Sequence, residues 1–288
     1  MSEPEVAPLP ELDAEQTIEV IVGFIRAQLE QTGFRRLVVG LSGGVDSAAA
    51  AYLGARAVAA GDLLAVLMPY RTSSPDSVAD AGLVVDALGC RSERVEITPM
   101  VEPMLELIGP EDDPALLVRC GNVMARQRMI VLYDRSAAFD ALVLGTSNKT
   151  EALLGYGTLH GDMAAALQPI GDLYKSQLRA IAVALGVSER IVSKPPSADL
   201  WPGQTDEREL GASYDDLDRI LFALVDRRWT VDRCVGAGLD RPLVEWVARR
   251  VAQTEFKRQQ APVAKISLRT PGIDHLYPRR RPGSRRGS

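Results

Sequence analysis

The chain has 288 residues, 46% hydrophobic and 25% charged, the make-up of an ordinary globular protein able to bury one large core or two small ones. Five arginines crowd the last ten residues (279–281, 285 and 286), so the formal net charge of −5 hides a body with 28 bases against 38 acids, a net of −10, which argues against nucleic acid as the main partner. No stretch nears the ~20 uninterrupted apolar residues of a membrane span. With two histidines and the scattered, odd-numbered Cys90, Cys120 and Cys234, the sequence excludes histidine-rich metal sites and disulfide frameworks and fits a reducing cytoplasm.

In chain order, the acidic, proline-bearing residues 1–12 are unlike a secretory signal. Residues 14–31 carry Ile18, Ile21, Val22, Ile25 and Leu29 on one helical stripe. The apolar run 36–41 predicts a strand, and an alanine-rich helix follows the turn Ser42-Gly43-Gly44-Val45-Asp46-Ser47. Residues 63–68 read as a second strand, 76–88 as a helix, 94–97 as a short strand and 120–138 as a long helix bearing Arg126 and Arg128. Residues 141–144 form the next strand and open into a loop with Thr146, Ser147, Asn148 and Glu151, read as a turn and a helix start with Thr or Ser as its cap. Residues 174–185 are helical, and after Pro195-Pro196 further helical segments run to about residue 259. Strands alternating with helices predict an α/β fold, a doubly wound, mostly parallel sheet with helices on both faces. Residues 1–278 are expected to form a single domain and 279–288 a basic, disordered tail.

The turn at 42–47 carries the most chemistry. Successive glycines permit positive φ and leave room for an anion, while the helix behind them aims its free N–H groups at the same place. Two hydroxyls and the Asp46 carboxylate suit a metal-bound polyphosphate. The missing Gly-Lys-Ser/Thr ending excludes a Walker loop, and Gly40, Gly43 and Gly44 have the wrong spacing for the dinucleotide fingerprint. Glu151, at a second strand end, is a candidate to meet Asp46 across a Mg²⁺. On residue pattern alone Arg126 and Lys175 read as a solvated helix face, and a turn carboxylate suffices to explain Asp162.

The string SGGVDS resembles the pyrophosphatase loop of enzymes that split ATP between its α and β phosphates. Six further strings, in order, resemble ATP-dependent NAD synthetase: GNVMARQRM (121–129), GTSNKTE (145–151), GYGTLHGD (155–162), PIGDLYK (169–175), SADLWPGQTDE (197–207) and TEFKR (254–258). The resemblance covers about residues 14–278. It implies a Rossmann-like, adenine nucleotide alpha hydrolase-like fold, and a homodimer with the dinucleotide site at the subunit interface. The implied reaction amidates nicotinic acid adenine dinucleotide (deamido-NAD) to NAD through an acyl-adenylate, releasing AMP and pyrophosphate. It places ATP on Gly40, Ser42, Gly43, Gly44, Val45, Asp46, Ser47, Thr146, Lys175 and Ser197, and Mg²⁺ on Asp46 and Glu151. Arg126 and Lys257 are implied to bind the dinucleotide, with Asp46, Lys175 and Asp162 serving the chemistry, Asp162 as acceptor of an ammonium proton.

Some positions depart from that pattern. Leu159 and Ala166 stand where many ammonia-using members carry a substrate-binding lysine and an aspartate, Phe256 replaces a histidine, and Val118 lies near where an aromatic is common. The wording of 156–163 is nearer to the synthetase domains of glutamine-using members. Their separate glutaminase domain finds no room before the first strand, so the expected nitrogen donor is free ammonia or ammonia from a separate glutaminase. Other readings are a synthetase for another amide, a tRNA-modifying enzyme of the same superfamily, a non-catalytic nucleotide-binding module, or a scaffold. An RNA-acting member would want a basic face or a Cys-x-x-Cys, which the body lacks.

Overall fold

The computed structural model describes residues 8–109, 113, 116–197, 199–201, 203–271 and 274; the sequence-based expectation for the tail 279–288 lies outside them. The elements in order are α1 (Ala14–Thr32), β1 (Arg36–Leu41), α2 (Val45–Ala57), β2 (Leu63–Leu67), α3 (Pro75–Leu88), β3 (Arg91–Arg94), α4 (Thr98–Ile108), α5 (Leu117–Phe139), β4 (Ala141–Leu144), α6 (Lys149–Leu154), α7 (Lys175–Leu185), α8 (Glu189–Val192), α9 (Asp206–Leu210), α10 (Tyr214–Leu221), α11 (Val231–Gly236) and α12 (Arg241–Gln253).

The four strands form a parallel sheet in the order β3-β2-β1-β4. Side chains alternate along β1 with period two. Leu37, Val39 and Leu41 pack with α1, α2 and α7 on one face, whereas Val38 packs with Val66, Val143 and residues of α4 and α5 on the other. Both faces are therefore covered by helices, as a parallel sheet requires. A third cluster, built by α6, α10, α11 and α12, lies beside the sheet, with Tyr214, Leu217, Val244 and Val247 fully buried.

Sheet order decides where a ligand can sit. From β1 the chain moves outward through β2 to β3, then returns to the opposite side of β1 as β4. The loops that follow β1 and β4 thus leave the sheet as neighbours at the point where strand order reverses, the usual crevice for ligands in open α/β sheets.

Two local expectations are corrected. The third strand is Arg91–Arg94, not 94–97: it is an edge strand whose burial is slight, so its polar residues carry no apolar signal. Val95 and Ile97 only extend its bonding, each donating its N–H to a carbonyl of the second strand's end, Leu67 (2.8 Å) and Pro69 (3.0 Å). Helix α4 was not among the expected elements; Pro99 sits in its first turn, where its missing N–H costs nothing, and Pro103 lies inside it.

Candidate active site

The turn between β1 and α2 is braced from within. The Ser42 N–H donates to Ser47 Oγ (3.2 Å), the Ser47 hydroxyl donates to the Gly44 carbonyl (3.0 Å), and the Gly44 N–H donates to Ser42 Oγ (3.3 Å). Both hydroxyls are thereby used to shape the turn. Gly43 has φ +81°, and a Cβ there would lie 2.2 Å from the Ser77 carbonyl oxygen of α3, so only glycine fits. Gly44 caps α2 without a side-chain hydrogen bond, which leaves the helix N-terminus open toward the crevice. Gly40 lies deeper in β1, where a Cβ would approach Met68 Cε to 3.1 Å.

Across the crevice, α6 begins at Asn148, whose Oδ1 accepts the Glu151 N–H (3.0 Å). The cap is this asparagine and not the expected Thr or Ser; its amide can also face a carboxylate, and its Nδ2 donates to Asp46 Oδ1 at 2.7 Å. Asn148 is fully buried, so one side chain fixes both the start of α6 and the direction of Asp46.

Between the two loops stands Lys175, the first residue of α7. Its Nζ lies 2.5 Å from Asp46 Oδ2 and 3.3 Å from Glu151 Oε1, and only 1% of its side chain is exposed. This overturns the solvated-face reading of Lys175. Burial by itself lowers the basicity of this amine, but Asp46 and Glu151 outweigh it and push the pKa up, so the ammonium stays charged. Glu151 is pushed up to about 8, first by burial and then by the neighbouring Asp46. Asp206, at the start of α9, adds a third carboxylate nearby, itself buried. Burial raises its pKa, and it accepts hydrogen bonds from Tyr156 (3.1 Å) and Tyr214 (3.2 Å).

The other expected residues are spread around this centre. Thr146 lies half-buried in the loop after β4. Ser197 is exposed, its Oγ accepting the Asp199 N–H (3.1 Å) in a loop whose Asp199 carboxylate also accepts the Ser74 N–H (3.0 Å); among the described residues no bond joins Ser197 to the Asp46–Lys175 group. Arg126 is exposed on α5, with Nε donating to the Leu159 carbonyl (3.3 Å). Lys257 donates to the carbonyls of Gly155 (2.8 Å) and Gly157 (2.7 Å), while Asp162 accepts the Thr158 N–H (2.7 Å). Burial, and then the charge of Arg250, lower the Lys257 pKa. Arg126, Lys257 and Asp162 thus surround the 155–162 loop rather than the lysine centre. Of the departing positions, Ala166, Val118 and Phe256 are exposed and Leu159 is half-buried.

Sequence reasoning did not single out Asn148, Asp206 or Asp218 as site residues. For Asp218 a signal existed: it falls on the same helical stripe as Tyr214, Leu217 and Leu221, where a charge is out of place.

A glycine turn opening a helix at the switch point of a parallel sheet, faced by a buried lysine and carboxylates, defines a nucleotide-binding α/β enzyme. The family model for NAD synthase matches residues 17–261, and the chain belongs to that family, which uses ATP as a substrate. It is 49% identical over 261 residues to the NH(3)-dependent NAD(+) synthetase of Chlorobium phaeobacteroides (strain BS1), spanning 91% of this chain and 93% of that protein. Among solved structures it resembles the NH3-dependent NAD synthetase of Campylobacter jejuni (33% identity, TM-score 0.74, 88% of this chain and 100% of that one). It also resembles an NMN synthetase of Francisella tularensis (28% identity, TM-score 0.76, 89% and 100%).

Proposed function

We propose that this protein catalyses the ATP-dependent amidation of deamido-NAD to NAD, with ammonia as nitrogen donor and AMP and pyrophosphate as the other products. The observation that carries this reading is the Lys175 ammonium held against Asp46 and Glu151 beside the open N-terminus of α2. Polyphosphate needs positive charge and N–H donors at one place, and the switch point supplies both.

The donor set also fits Mg²⁺. Two carboxylates, Asp46 and Glu151, converge from different loops on the Lys175 ammonium, and magnesium takes one or two carboxylates plus phosphate oxygens and water. Asp46 and Glu151 would hold it, and when bound it supplies charge neutralisation to the triphosphate. The chain's own part is positional. The turn 40–47, with Thr146 and Ser197, seats ATP; Lys175 offsets charge gathering on the phosphates; Arg126 and Lys257 hold the dinucleotide. The substrate carboxylate attacks the α-phosphorus, pyrophosphate leaves, and ammonia then attacks the acyl carbon of the adenylate, expelling AMP. Asp162, exposed and held by Thr158, takes the proton that ammonium must lose. No protein nucleophile is required.

Residues 1–278 act as one synthetase domain in this reading, and the protein works as a homodimer in the cytoplasm. Free, buried cysteines suit a reducing compartment. Helices α4 and α5 expose Met100, Met104, Leu107, Val118, Ile130 and Tyr133, an apolar set suited to a second copy. Among the described residues no helix is long and apolar enough to cross a membrane.

The test is an assay of purified protein with ATP, Mg²⁺ and deamido-NAD, comparing ammonium with glutamine, and deamido-NAD with nicotinic acid mononucleotide. NAD and AMP formed in equal amounts with ammonium support the reading. Turnover of the mononucleotide alone overturns the substrate, and a need for added glutaminase overturns free ammonia as donor.

A further inference from the structure

We propose that Asp218 is a positioning residue that sets the Lys175 ammonium between Asp46 and Glu151. The inference rests on the role given to Lys175 above, but its geometry is independent of that role. Asp218 belongs to α10 and is completely buried, on a stripe otherwise apolar or aromatic. Its Oδ1 accepts the Thr150 hydroxyl at 2.5 Å, and Thr150 Oγ1 in turn accepts the backbone N–H of Lys175 at 3.0 Å. Its Oδ2 accepts both the N–H (2.9 Å) and the hydroxyl (2.7 Å) of Ser176.

One carboxylate thus holds the residue before Glu151 and the residue after Lys175, and reaches Lys175 itself through Thr150. It acts as a cap lent by a third helix to α7, satisfying N–H groups that a helix N-terminus leaves open. The same helix supports the side chain: Tyr214, one turn earlier, places its ring 5.0 Å from Lys175 Nζ. Backbone and ammonium of Lys175 are therefore located by two residues of α10 at spacing i, i+4. Among the described residues no cation pairs with Asp218; hydroxyl and backbone donors hold it. A buried charge satisfied only by its neighbours' backbone and hydroxyls is costly as mere packing. What it secures is the relative setting of the starts of α6 and α7, hence of Glu151 and Lys175.

The test is a double-mutant cycle on the full chain with Asp218→Asn, Lys175→Met and both together. The asparagine keeps the shape, but its NH₂ must face a donor, Thr150 or Ser176. Asp218→Asn is expected to lower kcat roughly 10–100-fold with the KM for deamido-NAD unmoved. Added to Lys175→Met it should cost nothing more, in kcat or in Mg-ATP affinity by calorimetry. Wild-type kcat in Asp218→Asn, or losses that multiply in the double variant, overturn the proposal; multiplication is what general loosening of the fold produces. If Asp218→Asn does not fold, Ser176→Ala, which removes one donor and leaves the charge, should show a smaller loss with the same non-additivity, and unchanged kcat there also overturns it. Should the wild-type protein make no NAD, the functional reading fails, and the Mg-ATP affinity cycle alone decides the role of Asp218.

Discussion

Lys175 Nζ lies 2.5 Å from Asp46 Oδ2, although 129 residues separate them in the chain. The contact joins the first turn of α2 to the first turn of α7, so each helix brings its N-terminus and one charged group to the same point. Replacing Lys175 by methionine keeps length and apolar stem but leaves Asp46 and Glu151 facing each other. Pyrophosphate release should fall about 10²–10³-fold, the range for losing one preorganised charge-stabilising donor. Steady-state kinetics check this, and activity within a few-fold of wild type removes Lys175 from the chemistry.

Asp80 makes a second charged junction, near the 42–47 turn and away from the lysine. It is buried on α3 and accepts from Arg190 Nε (2.6 Å) and Lys194 Nζ (2.8 Å), pinning α3 to the segment after α7. Burial pulls its pKa upward, but Lys194 and Arg190 prevail and hold it below the usual aspartate range. A carboxyl depressed in the fold binds its proton more readily when unfolded. Its contribution is therefore complete above the unfolded pKa, near 3.8, and is lost as pH falls through the lower folded value. Asp80→Asn should destabilise at pH 7 by about 1–3 kcal/mol, as expected for losing hydrogen bonds to charged groups. The gap from wild type should narrow as melts are taken below the unfolded value near 3.8, and a gap independent of pH refutes the linkage.

Much of the sheet was legible because β1, β2 and β4 are short apolar runs between turn signals, and α1 shows its stripe openly. The edge strand Arg91–Arg94 was not, since it buries little and its register comes from pairing with β2. For the site, the turn 42–47 and the strand-end Glu151 were readable, as their spacing encodes local backbone geometry. The seat of Lys175 was not readable from pattern: it depends on α7 returning against α2 and on α10 closing beneath it, contacts between segments far apart in sequence. Asn148 was hidden for a related reason, being a local cap whose second hydrogen bond crosses to Asp46.

Gly43→Ala tests the turn itself. Positive φ strains any residue with a Cβ, at about 1–3 kcal/mol, and here the methyl also meets the Ser77 carbonyl. Relief requires the turn or α3 to move, which misaligns the N–H groups at the start of α2. Mg-ATP affinity should drop at least about tenfold, a loss of ~1.4 kcal/mol, while the KM for ammonium stays in place. Calorimetry with Mg-ATP on the folded variant checks it, and unchanged affinity refutes a phosphate role for the turn.

Lys257 offers the contrasting outcome, because its bonds run to Gly155 and Gly157 and not to the lysine centre. It shares this duty with Arg250, which donates to the Leu154 carbonyl (2.8 Å), and Arg258, which donates to those of Ala152 (3.0 Å) and Leu153 (2.8 Å). Three cations thus converge on the carbonyl end of α6, the favourable end for positive charge. In the proposed role Lys257 meets a substrate anion; burial, and then the charge of Arg250, lower its basicity, and Asp162 opposes that shift. Lys257→Met should therefore raise the KM for deamido-NAD roughly tenfold, as for loss of a hydrogen bond to a charged group, and leave the KM for ATP near its wild-type value. Arg258→Ala, which loosens the same helix end without removing the amine, should lower stability and shift both constants together. A Lys257 variant whose ATP constant moves as far as its dinucleotide constant would show that the amine only braces the 155–162 loop.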